Sequence, residues 1–238
     1  MSASFVQLAK DRLVRGGPVA LALVVGLAGA GLAAEEPAEA PKARVLFDGE
    51  TLDGWAKTDF YGSEKVDVRV EDGRIVMPAG RPLSGVTSTR TDLPTTNYEL
   101  TYEAMRLEGT DFFAAATFPV GEAFLTLVNG GWGGHITGLS SLDGADASEN
   151  ETARGFSYKN GAWYRFRVRV TDQAIRCDID DKPMIAVDIE NRHLGTRIEV
   201  RSSQPLGFAT WETAGAVRNV QVRPLSPDEI AKNRVDDQ

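Results

Sequence analysis

Residues 130–155 read GGWGGHITGLSSLDGADASENETARG and hold most of the side-chain types that chemistry needs. His135 is one of two histidines in the chain, and Trp132 stands between two pairs of glycines. Asp143, Asp146, Glu149 and Glu151 follow within nine positions, with Asn150 among them and Arg154 just beyond. An imidazole, with its ordinary pKa of about 6.5, can serve as a general base or a metal ligand. Carboxylates this close together could wrap a divalent cation such as Ca²⁺, although the Asp-x-Asp-x-Asp-Gly order of a helical calcium loop is missing. They could equally form a polar rim for a sugar or other substrate, or a solvated acidic loop. A Trp on a backbone stripped of side chains presents an aromatic face to a flat ligand ring. Trp211 has the same two readings, platform or core. Trp55 and Trp163 sit among motifs that read as packing.

Other chemistries are excluded. GLSSLDG has no strand-turn-helix elbow of the Gly-x-Ser-x-Gly kind, so a serine hydrolase is rejected. No HxH or HExxH spacing exists for zinc, and His193, in NRHLG, decorates a turn. Cys177 is the single cysteine, which rules out an intrachain disulfide. It alternates with Ile175 and Ile179 and reads as a small buried hydrophobe.

The elements that must hold this stretch begin after a leader. Lys10, Arg12 and Arg15 precede the apolar run PVALALVVGLAGAGLAA, and small residues near Ala33 and Ala34 mark a cut site, which predicts a signal peptide over residues 1–34 and a secreted, periplasmic or cell-envelope protein. The run falls short of the roughly 20 strongly apolar residues of a bilayer span, an uncleaved N-terminal anchor being the alternative. No membrane contact beyond it is expected. Residues 35–44, with two prolines and no apolar period, read as a flexible leader. Removing residues 1–34 takes away three basic groups and one acidic group, so the net charge moves from −8 to −10. That sign argues against nucleic acid, whose phosphates need a basic face. Nothing in the sequence speaks to oligomeric state.

From residue 45 to 225 the dominant period is two. In AWYRFRVRV, Tyr164, Phe166, Val168 and Val170 share one face and Arg165, Arg167 and Arg169 the other, which predicts a strand with one buried side. AIRCDIDDKPMIAVDI continues the pattern, with DDKP as a hairpin turn, and the arginine stripe is expected to pair with Asp178 and Asp180. Similar segments recur at 66–70, 74–77, 85–90, 98–107, 112–118, 123–128, 206–211 and 217–222. These predict an all-β, antiparallel two-sheet sandwich. Only the tail, 226–238, carries a helix signature: Ser226 as cap, Pro227 at the first position and Glu229 at the third.

VLFDGETLDGW at 45–55 resembles the opening of the 3-keto-disaccharide hydrolase domain family. VEDGRIV, YELTYEAMRLEGTDFF, the acidic stretch, GAWYRFRVRV and PLGFATWETAGAVRNVQVRPL continue the resemblance in order across 45–225. It implies a concanavalin A-like jelly roll that binds carbohydrate on a concave sheet or its rim. It also implies a substrate already oxidised at C3, whose ketone acidifies the C2 hydrogen, so that a base removes it, the C1 substituent leaves and water adds. On that reading the base is His135 or a carboxylate such as Asp146 or Glu149, and Arg154 or a bound divalent ion polarises the carbonyl. Trp132 stacks the ring, and Asp143, Asn150, Glu151 and Trp211 contribute further substrate contacts. No strand carries the alternating Glu-x-Asp-x-Glu set of jelly-roll glucanases, which disfavours double displacement. The rival expectations are a lectin-like polysaccharide-binding module at the cell surface and an interaction domain without a sugar ligand.

Overall fold

The computed structural model describes residues 42–235, so the expected signal peptide lies outside the described residues. The strands are β1 (Arg44–Val45), β2 (Trp55–Lys57), β3 (Arg69–Glu71), β4 (Arg74–Met77), β5 (Leu83–Ser88), β6 (Tyr98–Glu108), β7 (Ala115–Val120) and β8 (Ala123–Gly130). They continue with β9 (Ile136–Ser140), β10 (Arg154–Gly155), β11 (Trp163–Val170), β12 (Ala174–Ile179), β13 (Lys182–Asp188), β14 (Gly207–Trp211) and β15 (Ala214–Pro224). They form an 8-stranded sheet in the order β13-β12-β11-β6-β15-β4-β3, with β1 on β15, and a 7-stranded sheet in the order β10-β9-β8-β7-β14-β5-β2. Every pairing is antiparallel, the arrangement expected of a two-sheet jelly roll.

The two-residue period puts one face of each sheet into a shared core. Phe166 of β11 and Phe208 of β14 lie against Tyr102 of β6, with ring centroids at 5.0 and 4.9 Å, so aromatic packing joins the sheets. Trp55 is buried here, as its motif predicts, and its indole N–H donates to the Leu46 carbonyl at 2.8 Å. Cys177 is buried on β12, and desolvation pushes its thiol pKa up, which removes it from thiol chemistry. At the tail, Ser226 and Glu229 form the expected capping box and the helix runs Pro227–Lys232.

Two findings depart from the sequence reading. The stretch 130–155 is not one loop, because it contains β9 and β10 on the edge of the 7-stranded sheet. A 3-10 helix, Ile198–Ser203, stands where no helical element was expected.

On the outer face of the 8-stranded sheet the arginine stripe is paired, as its alternation predicts. Asp178 accepts from Arg167 and Arg169 at 3.2 and 2.8 Å, and Glu99 accepts from Arg169 and Arg223 at 3.1 and 2.9 Å. Asp180 takes a different place: its carboxylate accepts the Arg165 backbone N–H, and Asp181 takes the Arg165 and Arg167 guanidinium groups. Trp163 stacks under the Arg218 guanidinium, 4.0 Å from its ring centre. The Glu99 side chain is 8% exposed, so removing it takes one buried carboxylate from Arg169 and Arg223 and leaves each with a single acidic partner, Asp178 and Glu229. Glu99→Ala should cost about 2–4 kcal/mol in urea unfolding. Asp92→Ala, which deletes an exposed partner of Arg44, should cost under about 1 kcal/mol. Equal costs would contradict the burial argument.

Candidate functional site

A cavity of about 240 Å³ lies on the face of the 7-stranded sheet turned away from the core. Its floor is small: Ala115 of β7, Thr126 and Val128 of β8, and Ser140 of β9. Cross-strand register explains the row of hydroxyls there, since Thr117 faces Thr126 and Thr126 faces Ser140, and the two threonine hydroxyls are bonded at 2.9 Å. Three chain segments and the end of β14 raise the walls. The β6–β7 connection brings Asp111 and Phe112, the β8–β9 turn brings Trp132, β14 ends in Trp211, and the start of the 3-10 helix brings Arg197, Glu199 and Val200.

The Trp132 turn is held from below. Gly131–Gly134 form a single turn in which Trp132 has φ 50°, and the Gly133 N–H donates to Asp111 Oδ2 at 3.1 Å. Asp111 Oδ1 accepts the Phe112 N–H at 2.7 Å, so one carboxylate sets both the turn and the wall. Trp132 is 42% exposed, and Trp211, half-buried, packs on Phe112 across the cavity rim. These two of the expected substrate-binding residues are brought together.

Arg197 is the cation of the cavity. Its guanidinium pairs with Glu199 at 3.0 Å through Nη2 and with Asp146 through Nη1. The Glu199 carboxyl is held below the usual range by that hydrogen bond, and the Arg197 pKa is raised by the same contact. Of the expected catalytic carboxylates, Asp146 therefore reaches the cavity at one remove, as an anchor for Arg197.

The other expected residues stand elsewhere. His135 is exposed at the end of the Trp132 turn and is not among the cavity's lining residues. Glu149 is exposed on the loop. Arg154 is exposed on the edge strand β10, and its guanidinium donates to the Glu151 and Ala153 carbonyls, so Arg197 rather than Arg154 supplies the cavity's positive charge. Asn150 braces the loop: its amide donates to the Leu139, Ala145 and Asp146 carbonyls, and its oxygen accepts from Thr152. Asp143 and Glu151 both hold Arg192, at 2.5 and 2.6 Å. Asp143 is kept below the usual carboxylate range first by the His193 backbone N–H, then by Arg192; Glu151 is kept below it by Arg192.

The loop accordingly does not gather a donor set for a resident divalent cation. Among the described residues no three His, Cys, Asp or Glu side chains cluster in metal-binding geometry. Three of the loop's four carboxylates face guanidinium groups instead. Asp111, Arg197 and Glu199 escaped the sequence reading. Asp111 stood only inside the resembling segment YELTYEAMRLEGTDFF with no role of its own, and TRIEV has neither period nor motif; only the short Arg-x-Glu spacing is a sign of the pair.

A two-sheet antiparallel sandwich of this order is the architecture of concanavalin-like jelly rolls. Residues 42–223 match the 3-keto-alpha-glucoside-1,2-lyase-like domain, and the chain belongs to that family. No curated protein matches the chain. Among solved structures it is similar to domain 4 of AbnA, a GH43 extracellular arabinanase from Geobacillus stearothermophilus, in complex with arabinotriose: 14% identity, 82% of this chain and 99% of that one, TM-score 0.52. It is also similar to the Crh5 transglycosylase in complex with NAG, at 12% identity over 80% of this chain and 86% of that one, TM-score 0.52. These likenesses show the fold.

The arginine-paired loop should respond to acid and not to chelation. A cation site at a hundred times its dissociation constant would add about 2.7 kcal/mol, whereas excess Ca²⁺ should leave the Tm of EDTA-treated protein unmoved. For Asp143 and Glu151 the folded pKa lies below the unfolded one, so their contribution is complete above the ordinary carboxylate range and is lost as pH falls through the folded values. The protection factors of the 141–152 amides, which divide out the fall of intrinsic exchange with pH, should decrease on acidification through that range. A Ca²⁺-induced rise in Tm would contradict the assignment.

Proposed function

We propose that this protein is exported by the leader expected over residues 1–34 and cleaves 3-keto-glycosides in the cavity by proton abstraction and elimination. The observation that carries this reading is the meeting of an uncommitted carboxylate edge, a fixed guanidinium and two indoles at one cavity. Asp111 is the base: its oxygens accept only backbone N–H groups, which leaves lone pairs for the C2 proton. Glu199 is a poorer choice, because its pairing with Arg197 lowers its proton affinity. Its part, with Asp146, is to hold Arg197 toward the C3 oxygen, where negative charge develops as the C2–H bond breaks. The enolate then expels the C1 substituent, which takes a proton from water and leaves as an alcohol; the hydroxide so formed adds to C1 of the resulting C1–C2 double bond, and Asp111 returns its proton to C2. Trp132 and Trp211 stack the ring and orient C2 toward Asp111.

A second reading, a glycan-binding module without turnover, draws on one observation: Glu199 and Asp146 already neutralise Arg197, as in a site built for rigidity. Methyl 3-keto-α-glucoside and its unoxidised parent separate the two. The lyase reading expects cleavage of the keto-sugar alone, a loss of about 10² to 10⁴ in kcat for Asp111→Asn, and mainly a higher KM for Trp132→Ala. A protein that binds glycans through Trp132 and converts no keto-sugar would be a binding module.

A further inference from the structure

A second cavity, of about 290 Å³, opens on the other sheet, where the arginine ladder meets the C-terminal helix. Strand register sets its floor. Arg169 of β11, Glu99 of β6 and Arg223 of β15 align across three strands, and the next row on the same face is Arg167, Thr101 and Gln221. Lys232 and Asn233, at the end of the helix, close the cavity from above. A smaller cavity of about 150 Å³ shares Glu99 and Arg223 with it and is lined by Thr101 and Gln221, so the charged compartment continues into one that offers a neutral hydroxyl and an amide.

Two features of the larger cavity call for a ligand with both an anionic group and a hydroxyl. The first is charge. Arg167, Arg169, Arg223 and Lys232 line it, and among the described residues three carboxylates answer them, Glu99, Asp178 and Glu229; Asp181, which also meets Arg167, is shared with Arg165. Arg169 donates to Glu99 through Nε and to Asp178 through Nη2, which leaves Nη1. Arg176, opposite Arg169 on β12, donates to the Asn233 and Arg234 carbonyls and adds further positive charge beside the cavity. On a chain of net charge −8 this is a local excess of cations, the condition for holding an anion. The second feature is Asn233, which is 1% exposed. Its amide nitrogen donates to the Ala174 carbonyl at 3.0 Å, and that acceptor fixes which way the amide faces. Its Oδ1 is then left buried with no hydrogen-bond partner among the described residues, on a side chain that lines the cavity. A buried acceptor of this kind is completed by a donor, which a ligand hydroxyl supplies.

We propose that this cavity is a binding site for a sugar acid, a hydroxylated ring bearing one carboxylate, separate from the cavity between Trp132 and Trp211. The carboxylate meets Lys232 and Arg169, one hydroxyl donates to Asn233 Oδ1, and the rest of the ring extends over Thr101 and Gln221. Nuclear magnetic resonance titration of the protein with sodium glucuronate, and separately with glucose, acetate and sulfate at constant ionic strength, tests it. Glucuronate should shift the Asn233 side-chain amide and the Arg169 Nε–H, leave the Trp132 and Trp211 indoles in place, and bind at least about tenfold more tightly than each of the other three. Lys232 is exposed and is no part of the ladder's pairing among the described residues, so Lys232→Gln keeps the fold and should raise the glucuronate Kd about three- to tenfold. Thr101→Val should also raise it, whereas Trp132→Ala should not. Sulfate or acetate bound as tightly as glucuronate overturns the sugar-acid assignment and leaves a plain anion site. No shift at Asn233 and Arg169 with glucuronate, or an affinity unchanged in both Lys232→Gln and Thr101→Val, overturns the site altogether. Because methyl 3-keto-α-glucoside carries no charge, cleavage of that sugar stands or falls independently of these outcomes.

Discussion

The site depends on how the acidic loop is neutralised. Four carboxylates within nine positions repel one another unless something positive joins them, and here the partners are arginines of the segment 192–197. Asp143 and Glu151 take Arg192, and Asp146 takes Arg197. The backbone follows the charges: the Asp143 N–H donates to the His193 carbonyl at 2.7 Å, and Ser141 and Gly195 exchange both of their hydrogen bonds. A segment with no period of its own is thereby fixed beside β9, and it delivers Arg197 and Glu199 to the cavity. Acidic residues that read as a ligand set are the tether of the cavity's cation.

The sheet beneath permits that tether. A Cβ at Gly138 would lie 2.9 Å from the Ala147 carbonyl oxygen, and one at Gly207 would lie 2.6 Å from the Ser203 carbonyl oxygen. Both positions face outward on the 7-stranded sheet, so the acidic loop and the 3-10 helix rest on backbone. The loop then closes on β9 with hydrogen bonds of its own: the Ala147 N–H donates to Ser140 Oγ, and the Leu139 N–H to Thr152 Oγ1. Where the sheet is not covered in this way, the small floor of Ala115, Thr126 and Ser140 is left as the cavity.

The fold was legible wherever burial on one side enforces alternation, as in β11 and β12, and the arginine ladder followed from the same pattern. β9 was not. Its sequence, ITGLS, interleaves a glycine and hydroxyls with apolar residues because one face serves the core and the other the loop. Thr137 satisfies its hydroxyl on the buried Tyr158, so a polar residue stands at a core position without cost. Trp132 and Trp211 could be named from their residue type and their glycine or strand-end setting. Asp111, Arg197 and Glu199 could not, because the cavity joins chain positions nearly ninety residues apart and no local spacing records that.

The central claim is that the sugar binds between Trp132 and Trp211. Nuclear magnetic resonance of the four indole N–H groups, in an Asp111→Asn variant that retains substrate, reads it directly during titration with methyl 3-keto-α-glucoside. The account predicts that the Trp132 and Trp211 resonances shift together, while Trp55, in the core, and Trp163, under Arg218 on the opposite sheet, stay in place. A shift of Trp163 with Trp132 and Trp211 unmoved would contradict it and assign the ligand to the other sheet.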